Sequence, residues 1–85
     1  MNDIHIIDVL VKSSYEMNAV QLANLLEILL GERLSQGAMI MYFKRSFPEV
    51  PLRVIINASG WSRVSNGGLS DDDVIQLLQD WLPRR

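Results

Sequence analysis

The residues in this sequence with the means to do chemistry are few, and their spacing decides against most of them. His5 is the only histidine. A metal or proton-transfer role would need carboxylates converging on it, and Asp3 and Asp8 are the nearest in the chain. It lies on the polar side of an expected helix, where a solvated imidazole is the ordinary outcome. Asp71, Asp72 and Asp73 stand in a row. Consecutive helical side chains diverge by about 100°, so these carboxylates do not converge on one cation. They also lack the alternating oxygen ligands and distal Glu of a calcium loop.

The glycine-containing segments fare no better. Gly31 and Gly37 bracket an expected helix start, but a phosphate-cradling loop continues with Lys and then Ser or Thr, and here Ala38 and Met39 follow. Ser59-Gly60-Trp61-Ser62 lacks the Gly-x-Ser-x-Gly of a nucleophile elbow, and Asn66-Gly67-Gly68 reads as a turn. Asn57-Ala58-Ser59 matches a glycosylation sequon, without meaning in a cytoplasmic chain. There is no cysteine, which removes disulfides, thiolate metal ligands and thiol nucleophiles together. The reading is a protein that is not an enzyme, with no catalytic or metal-binding residues, no cofactor and no small-molecule substrate.

Binding of a macromolecule is what remains, and the charges favour it. The net charge of −2 conceals a segregation: residues 1–32 hold five acids and one base, residues 33–63 five bases and one acid, and residues 64–85 four acids and two bases. One basic and one acidic pole suit charge-complementary association. The expected partner-binding residues are Met41, Lys44, Arg45, Arg53 and Arg63, with Met41 supplying adaptable apolar area and the bases orientation and on-rate. In a homotypic assembly the complementary surface would be acidic and include Asp8, Glu16 or Asp71–Asp73. The partner is another protein or a second copy of the chain. The alternative is a helix-turn-helix-like nucleic-acid-binding protein, because the second and third expected helices are joined by a short turn and followed by Arg and Lys. Against it, the start of the third helix offers Gln36, Gly37, Ala38 and Met39 rather than a row of polar readers, and the overall charge is acidic.

These residues need elements to hold them. The chain has 85 residues, the size of one domain, 1–85, and its 48% apolar and 21% charged composition is that of a folded chain rather than a disordered one. No apolar run exceeds six residues, so no membrane span is expected. The N-terminus, with two acids and no base before Val9, does not open like a signal peptide. Together with the missing cysteines this points to the cytoplasm.

The periodicity predicts an all-α fold, a compact four- to five-helix bundle around a central apolar helix. A first helix over 4–14 is capped by Asp3, with Ile4, Ile7, Leu10 and Val11 inward and Asp8 and Lys12 paired outside. Asn18 caps a second helix over 19–30 that Gly31 stops. It is apolar nearly all round, with Gln21, Asn24 and Glu27 as one polar stripe. Ser35 caps a third over 36–47, ended by Pro48, with Met39, Ile40, Phe43 and Phe47 inward. Pro51 opens a short fourth through Ser59, with Leu52, Ile55 and Ile56 in the core. Ser70 caps the last, with its aspartates in the first turn where they meet the helix dipole; Pro83 closes it, and Arg84 and Arg85 face its carbonyl end. If 4–11 and 52–57 were strands, the class would be α+β. The expected core is Ile7, Leu10, Leu22, Leu25, Leu26, Leu29, Met39, Phe43, Ile55, Leu77, Leu78 and Trp81, with Trp61 folding back over the helix before it.

Overall fold

The computed structural model describes residues 2–82. Five helices follow one another: α1 (Asp3–Ser13), α2 (Ala19–Leu30), α3 (Gln36–Ser46), α4 (Leu52–Ala58) and α5 (Asp71–Gln79). No strand is present among the described residues; the only β-type pairing is an isolated parallel bridge between Trp61 and Leu69. The fold is therefore the expected all-α bundle, and both doubtful segments are helical. The expected helix stop Pro83 and the bases Arg84 and Arg85 lie outside the described residues.

The helix starts are made locally. Asn18 and Gln21 form a reciprocal capping box on α2, and Ser70 and Asp73 another on α5. Ser35 accepts the Ala38 amide at the start of α3. Gly31 ends α2 in the left-handed region at φ 72°, where a side chain would be strained. The cap of α1 differs from expectation. Asn2, not Asp3, accepts the His5 amide at 2.8 Å, which places Asp3 inside the first turn and frees its carboxylate for other partners.

Packing arranges the helices as a ring. The principal neighbours of α1 are α2 and α3, those of α4 are α3 and α5, and α5 also lies against α2. The order around the ring is thus α1, α2, α5, α4, α3, with α5 inserted between α2 and α4. The core fills the middle: Ile6 and Leu10 from α1, Leu22 and Leu26 from α2, Met39 and Phe43 from α3, Ile55 from α4, and Val74 and Leu78 from α5. Phe43 and Phe47 meet edge to face with ring centroids 6.1 Å apart. The apolar circumference of α2 is shared out: Ala19, Leu22, Ala23 and Leu26 are buried, Val20, Leu25, Leu29 and Leu30 pack at the edge, and Ile28 faces out.

Several expected core positions are corrected. Trp81 is 42% exposed, whereas Trp61, in the segment between α4 and α5, is fully buried. Ile4 faces out and Ile6 faces in, while Ile7 is only half-buried; the buried stripe of α1 keeps Leu10 but turns from the Ile4–Ile7 side toward Ile6 and Ser14. On α4, Leu52 and Ile56 are half-exposed, and the buried stripe is Ile55 with the small Ala58. Leu25, Leu29 and Leu77 pack against the core without being fully enclosed.

Candidate functional site

The five expected partner-binding residues do not form one patch. Met41 and Arg45 lie one turn apart on the outward side of α3 and are exposed. Arg45 reaches across to Asp3 of α1 at 3.6 Å, an exposed contact of little energetic weight. Asp3 also accepts the Tyr42 hydroxyl at 2.6 Å. That hydrogen bond, followed by burial, pushes the Tyr42 phenol above its ordinary range. Lys44 turns the other way: its ammonium donates to the carbonyl oxygens of Pro48 at 2.9 Å and Val50 at 2.8 Å, and so closes the connection from α3 to α4. Arg53 is exposed on α4 and makes no ion pair among the described residues.

Arg63 belongs to a different neighbourhood. Its guanidinium pairs with the Glu27 carboxylate of α2 and lies 5.3 Å from the centroid of the Trp61 ring. The second Glu27 oxygen accepts the Leu34 amide at 2.8 Å. That backbone hydrogen bond, and then the Arg63 contact, hold the Glu27 carboxyl below the ordinary carboxylate range. The Trp61 indole N–H donates to Asp71 at 2.8 Å. A single polar web therefore links α2, the segment 60–69 and the start of α5.

That segment is tightly folded. The amides of Leu69 and Ser62 donate to Gly60 and Leu69 carbonyls at 3.0 and 2.9 Å. The backbone of Gly67 lies so close to Gly60 that a Cβ there would sit 2.4 Å from the Gly60 carbonyl oxygen. The acids expected to complement the bases are also dispersed. Asp8 pairs with Lys12 at 2.9 Å on the surface, Asp71 is engaged by Trp61, and Asp73 closes the α5 capping box. Asp72 and Glu16 are exposed.

What the sequence reading missed is the outward face of α4. Leu52 and Ile56 are 48% and 50% exposed, one turn apart, with Arg53 beside them. The missed signal was the helix's length. Seven residues between Pro51 and Ser59 give room for one buried stripe, and Ile55 with Ala58 at i,i+3 occupies it. A second overlooked feature is a polar cleft beside Arg33 and Arg63, taken up below. The described residues contain no group of His, Asp or Glu placed to hold a metal ion, and no helix among them is long and apolar enough to cross a membrane. No protein family, curated protein or solved structure matches the chain in comparison.

Proposed function

We propose that this chain is a non-enzymatic protein–protein interaction module of adaptor or assembly type, acting in the cytoplasm and able to associate with its own kind. The observation that carries the reading is the outward face of α4, where Leu52 and Ile56 flank Arg53, which makes no ion pair among the described residues. An apolar pair with a cation beside it is typical interface chemistry. Covering the exposed halves of Leu52 and Ile56 is worth on the order of 2 kcal/mol, against about 8 kcal/mol for a micromolar complex. Self-association through this face alone is therefore weak, and a tighter complex needs charge complementarity from an acidic partner surface.

The helix-turn-helix alternative draws less support. α2 and α3 are not principal packing partners, whereas the two helices of such a unit brace each other. At the start of α3 the Gln36 amide is committed to the Ser59 carbonyl and hydroxyl at 3.3 and 3.1 Å, which takes away a polar reader.

Light scattering over a concentration series tests the reading, with Arg53→Glu/Ile56→Glu as the variant. Lys44 is left alone because reversing it would break the α3–α4 connection. The expected result is a small rise in mass confined to the highest, millimolar concentrations of the parent chain and absent from the variant, with unchanged melting. A parent that is monomeric throughout, or a variant that associates equally well, overturns the homotypic assembly.

A further inference from the structure

Between the α2–α3 turn and the segment 62–66 lies a cleft of about 230 Å³, lined by Arg33, Ser62, Arg63, Ser65 and Asn66, with no carboxylate in its wall. We propose that this cleft is a binding site for a phosphate group.

The argument is one of unspent donors around a fixed frame. Arg33, Ser62 and Asn66 make no side-chain hydrogen bond and no ion pair among the described residues. Arg63 is already oriented: Glu27 grips one side of the guanidinium and Trp61 lies against it. Glu27 uses its other oxygen on the Leu34 amide, so the carboxylate orients the arginine from outside the cleft. Glu27 and Glu32 border the adjoining opening on the far side of Arg33, but neither lines this cleft, so its wall carries two guanidinium groups and no carboxylate. The frame is stiff, because the Ser65 hydroxyl donates to the Ser59 carbonyl and accepts the Gly67 amide. The wall therefore does not need to be ordered when a ligand arrives.

The number of donors distinguishes the ligand. Two guanidinium groups, a hydroxyl and an amide NH₂ exceed what the two oxygens of a carboxylate can accept, and they match the additional oxygens of a phosphate. Planar guanidinium groups are also the side chains best suited to phosphate. The site uses Arg63 from the basic segment, but it is separate from the α4 face and stands or falls independently of it.

The test is an NMR titration of the whole chain with inorganic phosphate, O-phosphoserine and acetate at matched ionic strength. The amides of Arg33 and residues 62–67 should shift saturably with the phosphates and not with acetate. Arg33→Ala and, separately, Asn66→Ala should weaken the phosphate response about tenfold while melting is unchanged; both positions are exposed, and Arg53→Ala is the control. Tighter binding of O-phosphoserine than of inorganic phosphate supports the site and assigns it to phosphate monoesters, and equal binding supports it as a site for the free ion. Unsaturable shifts, equal shifts with acetate, or a response that Arg33→Ala leaves intact overturn the proposal.

Discussion

The two tryptophans mark two regions built on opposite terms. Around Trp61 the indole, Arg63, Glu27 and the Leu34 amide form one connected chain of partners. The indole N–H meets Asp71, Arg63 covers the ring, Glu27 holds Arg63, and Leu34 holds Glu27. Trp61 is wholly enclosed although it belongs to no helix. Trp81, just past the end of α5, is 42% exposed. It borders a cleft of about 190 Å³ with Val11, Ser46, Phe47 and Pro48. There the Ser46 hydroxyl is buried and has no hydrogen-bond partner among the described residues, a cost the Trp61 region avoids. An irregular segment can thus be the better-made part of a small helical protein when long-range polar contacts fix it. A helix end can be the looser part when nothing completes its shell.

The largest test of that contrast is Trp61→Ala. It should cost about 3–5 kcal/mol, read by urea denaturation, because it empties a full indole volume and strands Asp71. A loss below about 1 kcal/mol would mean that the segment 60–69 does not depend on its tryptophan. Gly67→Ala comes next, at about 1–3 kcal/mol, since the new methyl would collide with Gly60 backbone that has no room to move. A neutral result in thermal melting would show that the close approach is not required.

Glu27→Gln should cost about 1–2 kcal/mol at neutral pH, between the values for exposed and buried pairs, because the side chain is about a quarter exposed. It also has a pH signature. The Glu27 carboxyl sits below its ordinary range in the folded chain. Its contribution is complete above the unfolded value, about pH 4.3, and is lost as pH falls through the lower folded value. The parent chain should therefore lose melting temperature on acidification more steeply than the Gln variant. Parallel acid limbs would remove Glu27 from the account. Trp81→Ala is the smallest, at about 1 kcal/mol, with water filling the vacated edge. A cost matching that of Trp61→Ala would erase the difference between the regions.

The parts legible in the sequence were those made by neighbouring residues. The limits of α2 follow from Asn18 and Gly31, and the start of α5 from Ser70 and its aspartates, because a cap acts within three or four residues. Register was harder. Ile6 and Ile7 are equally apolar neighbours about 100° apart on α1, and only the packing of α1 against α2 and α3 decides between them. On α4 the stripe is set in part by Ala58, whose small side chain contributes little to an apolar pattern yet is fully buried. The placement of the residues expected to bind a partner was half legible. Met41, Arg45 and Arg53 are on the surface as expected, but nothing near Lys44 or Arg63 in the chain indicates that they turn to Pro48 and Val50 or to Glu27. The Glu27–Arg63 contact spans 36 positions, and no local pattern reports a contact of that range.

The ring order also has a consequence for how the chain comes into being. A polypeptide leaves the ribosome in sequence order, and domains settle as their parts become available. α1, α2, α3 and α4 emerge first, and among them α1–α2, α1–α3 and α3–α4 can pair. The gap between α2 and α4 stays open until α5 brings the buried Val74 and Leu78 into it. Before α5 is made, the contacts that can form leave a four-helix arc open between α2 and α4, and α5 is its closing stone. Ribosome-stalled chains that end before Asp71 should be the species that chaperones hold, and those extended past α5 the species they release.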